Sequence, residues 1–135
     1  MEITTKAPEI YEVGKSATLQ WTITYTAQEI FKHTFLYLNE NGSEINLVSS
    51  NGGKSKCEEV NKLKGRCFAE VGAYSVYISI TDLRYGDFFN FSVEAFGQTA
   101  DFKHFNIMNK TILIQNVKGM VILSQLTHSV TLMSI

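Results

Sequence analysis

One spacing constrains this chain more than any other feature. Ile78 and Ile80 are followed by Leu83, Asp87, Phe91 and Val93 in the order I-x-I-x-x-L-x-x-x-D-x-x-x-F-x-V, and Arg66 stands twelve residues before Ile78. Residues two apart share one face of a strand, so Ile78 and Ile80 point the same way. Phe89, Phe91, Val93 and Ala95 keep that period, with Asn90, Ser92 and Glu94 between them. Leu19, Trp21 and Ile23 repeat it against Gln20, Thr22 and Thr24. Apolar-in, polar-out alternation marks an antiparallel sheet with one buried face. Tyr85-Gly86-Asp87 supplies a turn between two such strands.

The chain has 135 residues and one proline, enough for one domain with a core of its own. Its net charge of −1, with both signs interspersed, offers no basic face for nucleic acid or an anionic membrane. No apolar run approaches the roughly 18 residues of a membrane-spanning helix, so this segment is not expected to insert directly into a membrane. No leader-like apolar stretch opens the chain, so a secreted form would have shed its signal ahead of this sequence. Catalysis needs a nucleophile, a base and an orienting acid converging on one point. No motif here brings them together, and no enzyme activity is expected. His33, His104 and His128 are scattered and lack zinc spacing, so neither metal nor cofactor is expected.

The Arg66-to-Val93 pattern resembles that of a variable-type immunoglobulin domain, where it reads Arg, then L-x-I-x-x-L-x-x-x-D-x-x-x-Y-x-C. The resemblance implies an all-β, immunoglobulin-like, two-sheet antiparallel β-sandwich with Greek-key connections. It also implies an ion pair between Arg66 and Asp87 across the bottom of the domain. Phe91 takes the tyrosine position and Val93 the second cysteine position. Gly14, Ala17, Leu19 and Trp21 are similar to the family's G-x-x-V-x-L-x-C strand, with Trp21 in place of the first cysteine. The family's usual disulfide between those two strands therefore has no cysteines to form it. The stretch from Leu83 to Ala95 also looks like the L-x-P-G-x-x-Y-x-F-x-V-x-A of a fibronectin type III domain. The length between residues 7 and 117 favours the variable type, which carries extra strands in the middle.

Strands are expected at residues 10–13, 17–25, 34–39, 44–49, 66–68, 74–81, 88–96 and 111–117, with a loop over 97–109. Asn41-Gly42 signals a tight hairpin. The family's central tryptophan in the third strand is missing, and Phe35 or Tyr37 is expected to fill its place. Leu36 and Leu38 would then face outward, an unusual exposure that suggests an interface; a slip of one residue would reverse this. Residues 1–118 form the expected domain. The tail, 119–135, is apolar in parts and reads as the start of a following domain, with an alternative C-terminus as the other reading.

Cys57 and Cys67 are the two cysteines. An even count in a short extracellular domain suggests a disulfide, with free thiols as the alternative. Asn41, Asn90 and Asn109 each head an N-x-[ST] glycosylation sequon, and all three are expected at exposed positions. A glycan on Asn90 would stand on the face such domains use for binding.

Variable-type domains bind through the outer face of one sheet and the loops at one end. The resemblance therefore implies a protein-binding surface at Leu36, Leu38, Ser92 and Glu94, extended by Phe102, His104 and Phe105. The combination of a variable-like pattern, no cysteines for the usual disulfide and an expected second domain resembles invertebrate, particularly cnidarian, allorecognition and adhesion receptors. They imply the ectodomain of a cell-surface protein whose partner is a protein on an opposing cell, a second copy of itself included. The alternative function is a type III-like spacer or ligand-binding module of a receptor or matrix protein, favoured if no hairpin follows the third strand.

Overall fold

The structure, a computed structural model, describes residues 1–49 and 53–114; for residues 49 and 106–114 it describes the strand they form. Among these residues the chain forms nine strands. They are β1 (Glu2–Lys6), β2 (Ala17–Thr24), β3 (Glu29–Glu40), β4 (Ser43–Ser49), β5 (Lys54–Ser55), β6 (Cys67–Val71), β7 (Ser75–Ile80), β8 (Phe89–Thr99) and β9 (His104–Ile114). One sheet has the order β1-β2-β7-β6-β5 and the other β4-β3-β8-β9, with every pairing antiparallel. The pairings β2–β7 and β3–β8 join strands distant in sequence. This is the Greek-key signature of a β-sandwich.

The alternation read from the sequence makes the core. In β2, residues Ala17, Leu19, Trp21 and Ile23 are buried while the residues between them are exposed. Across the interior stand Phe89, Phe91, Val93 and Ala95 of β8. Trp21 and Val93 are both fully buried. The chain's only cysteines bond to each other, Cys57 to Cys67, with a Cα–Cα distance of 5.7 Å. That link ties the segment before the 3₁₀ turn at Asn61–Leu63 to the first residue of β6.

Arg66 and Asp87 meet at one end of the sandwich. The guanidinium donates to both carboxylate oxygens, Nη1 to Oδ2 at 2.8 Å and Nη2 to Oδ1 at 3.1 Å. It also donates to the Lys62 carbonyl at 2.6 Å and the Asp82 carbonyl at 2.9 Å. The Arg84 amide donates to Asp87 at 2.8 Å. Both side chains are buried, and Asp87 holds the guanidinium proton more tightly than water would. Two buried charges in this geometry have most of their hydrogen-bonding capacity met, which is the condition under which burying them is tolerable.

Three expectations about the strands are corrected. The first strand is β1, not residues 10–13: Ile10 and Val13 are exposed and only Tyr11 is buried there. β1 has a single buried apolar residue, Ile3, so nothing in its own sequence shows the period; pairing with β2 makes it a strand. Residues 97–109 are not a loop. β8 runs on to Thr99 and β9 begins at His104, closed by a short turn in which the Thr99 and Phe102 amides bond back across it. Third, the strand expected at 66–68 begins at Cys67 and extends to Val71. The tail at 119–135 and the end of the strand expected at 111–117 lie outside the described residues.

The outer face of the four-stranded sheet as a candidate recognition surface

The strand β3 is apolar on both faces, so its own sequence cannot say which side is core. The pairing with β8 decides. Leu36 lies opposite Val93 and Leu38 opposite Phe91, while Phe35 lies opposite Glu94 and Tyr37 opposite Ser92. Directly opposed residues share a face, and β8 has only one face apolar enough to be core. Leu36 and Leu38 are accordingly 0% and 1% exposed. The expectation that these leucines face outward, with Phe35 or Tyr37 inside, is overturned by one residue of register. Leu36 and Leu38 cannot touch a partner in this fold.

Phe35 and Tyr37 instead lie on the outer face, half-buried by their neighbours. Their rings stack at 6.0 Å with planes 19° apart. His33 lies 6.3 Å from Phe35 along the same strand, and Phe96 of β8 meets Phe35 edge-on at 5.8 Å. His33, Phe35, Tyr37 and Phe96 thus form a continuous aromatic ribbon across two strands. Sequence reasoning misses it because it places Phe35 and Tyr37 in the core. The sequence of β3 carries no signal for it, since apolar residues occupy both of its faces, and only the pairing with β8 shows which side is the interior.

Polar pairs edge the ribbon. The Tyr37 hydroxyl donates to Glu94 Oε1 at 2.9 Å. Burial pushes the phenol up to about 12, and the carboxylate acceptor adds to the shift. Asn39 Nδ2 donates to Ser92 Oγ at 3.2 Å. Ser92 belongs to the outer row of β8 but is 3% exposed, so it supports the face from beneath and is corrected from a contact residue. Glu94 is half-exposed and stays available at the surface while holding Tyr37.

The β8–β9 turn stands at one end of the ribbon. Phe102 is 78% exposed, with a φ of 66° at the turn. His104 is exposed opposite Gln98. Phe105 is half-buried and packs against Gly97; a Cβ on that glycine would come within 2.4 Å of the Phe105 ring. Lys32, His33, Phe96, Gly97, Gln98, His104 and Phe105 line a shallow open concavity there. Among the described residues no group of three or more His, Cys, Asp or Glu is placed to hold a metal ion.

The sequons fall on different ground. Asn41 is exposed at the tip of the β3–β4 hairpin. Asn90 lies on the outer row of β8 but is half-buried, and its Oδ1 is out of contact with solvent; its expected exposure is corrected. The Asn109 side chain lies outside the described residues.

The arrangement is an immunoglobulin-like two-sheet antiparallel β-sandwich. The hairpin whose absence would have favoured the type III alternative is present between β3 and β4, and β5 adds a further strand at the edge of the five-stranded sheet. Among solved structures, the fold is similar to that of murine CRIg, with a TM-score of 0.63 over 85% of this chain and 98% of that one, at 16% identity. Likeness at that identity is of fold. No family model and no curated protein matches the sequence.

Proposed function

We propose that this chain is an extracellular recognition domain that binds another protein through the outer face of the β4-β3-β8-β9 sheet. The observation that carries the reading is the aromatic ribbon of His33, Phe35, Tyr37 and Phe96, with its rim of Glu94, Asn39 and the exposed turn at Phe102 and His104. A solvated sheet face is normally polar between strands. Aromatic residues ringed by polar groups are the composition of an interface core and rim. The bonded Cys57–Cys67 pair fits an oxidising compartment. The sequence resemblance to adhesion and allorecognition receptors supports a partner on an opposing cell, and a second copy of the chain is the first partner to test.

The test is sedimentation over a wide concentration range, followed by a screen against cell-surface ectodomains if the chain stays monomeric. Phe35→Asp and Phe96→Asp should each abolish whichever association is found while leaving the melting transition in place. Phe68→Asp, on the outer side of the other sheet, should leave it intact. Association that survives both ribbon substitutions would rule this face out.

A further inference from the structure

The sequons at Asn41 and Asn90 share the N-x-S pattern and differ in structure. Asn41 and Gly42 of the sequon Asn41-Gly42-Ser43 form the two-residue β3–β4 turn, and Ser43 begins β4. Asn41 has φ 51° and Gly42 φ 80°, the left-handed pair that a tight hairpin requires. Asn41 is the residue at the tip, exposed, beyond the last β3–β4 pair of Glu40 with Ser43. Asn90-Phe91-Ser92 lies inside β8, an interior strand. Asn90 is flanked by Asn39 of β3 on one side and by Leu113 of β9 on the other. Its Oδ1 is buried and makes no hydrogen bond among the described residues. Phe91 is fully buried in the core and Ser92 is engaged by Asn39.

We infer that Asn41 is an N-glycosylation site and that Asn90 is left bare. The co-reactant is a lipid-diphosphate-linked oligosaccharide. The bond between the sugar's anomeric carbon and its phosphate oxygen breaks, a bond from that carbon to Asn41 Nδ2 forms, the amide loses one proton, and the lipid diphosphate leaves. At Asn41 the attached sugar projects past the end of the sheet. At Asn90 the amide stands between two neighbouring strands with its Oδ1 buried, and a sugar on it would have to displace its neighbours. Sparing Asn90 keeps the aromatic ribbon uncovered, and a glycan on Asn41 shields the opposite end of the sheet from the β8–β9 turn. The placement does not depend on which partner the face binds.

The full chain is secreted from animal cells behind an added signal sequence, so the outcome is independent of where the protein natively resides. Enzymatic deglycosylation in heavy-oxygen water labels each asparagine that carried a glycan, and peptide mass spectrometry locates the label. Label at position 41 in most molecules and none at position 90 is the expected result. Label at position 90, or its absence at position 41, overturns the inference. In intact protein, Asn41→Gln should remove one glycan's mass and Asn90→Gln should remove none. If Asn41→Gln is poorly secreted, the peptide occupancies of the unsubstituted chain decide.

Discussion

Asp87 accepts from both guanidinium nitrogens of Arg66 and from the Arg84 amide, all in a buried setting. Removing the carboxylate leaves a buried cation whose partners are reduced to carbonyls. Asp87→Ala should therefore destabilise by about 3–5 kcal/mol, seen as a lower urea midpoint. The double variant Arg66→Met, Asp87→Leu should lose less than Asp87→Ala by itself, because no charge is then stranded. Tyr37 gives a test of a different kind. Its phenol is pushed up to about 12, as is that of Tyr25, chiefly by burial. A raised native value means that this contribution to stability is complete below the unfolded value near 10 and is lost as pH rises through about 12. Spectrophotometric titration of the native chain should show a late-ionising fraction of its six tyrosines, and Tyr37→Phe should shrink that fraction.

Each strand's fate depended on its neighbours. The Cys57–Cys67 bond closes a short loop onto the first residue of β6. Replacing both cysteines by alanine should cost about 2–4 kcal/mol, and a reducing agent should lower the urea midpoint of the parent chain and not of the variant. The β8–β9 hairpin depends on Gly97. A methyl group there would meet the Phe105 ring at 2.4 Å and the Ile30 carbonyl at 3.0 Å. Gly97→Ala should destabilise by about 1–3 kcal/mol through overpacking. Much of that loss should vanish when the substitution is made on a Phe105→Ala background, a non-additivity that a thermal-melt cycle measures.

The sandwich should behave as one cooperative unit. Trp21, the single tryptophan, is fully buried in β2 and faces an interior built by both sheets. Its fluorescence should report loss of the inter-sheet packing, while far-ultraviolet dichroism reports the strands. The two unfolding curves should coincide, as they do for a two-state domain; separated midpoints would show that the sheets come apart before they unravel. Because β2–β7 and β3–β8 join distant segments, refolding followed by Trp21 should fall in the millisecond-to-second range typical of sandwiches.

The sequence by itself determined the buried faces of β2 and β8, since strict alternation admits one buried face per strand, while the sandwich and the meeting of Arg66 with Asp87 were implied by the resemblance that the Arg66-to-Val93 pattern carries. It also placed the β3–β4 turn, because Asn41-Gly42 suits the left-handed geometry of a tight hairpin. It could not decide the face of β3, where Phe35-Leu36-Tyr37-Leu38 is apolar at every position and the period carries no sign. Only pairing with Val93 and Phe91 sent the leucines inward and the rings outward. It could not find β1, whose strand character comes from hydrogen bonds to β2, nor show that Asn90, unlike Asn41, is half-buried, a burial that the neighbouring strands impose. Local pattern decides where one face is unmistakably apolar; where both faces are apolar or neither is, the partner strand decides.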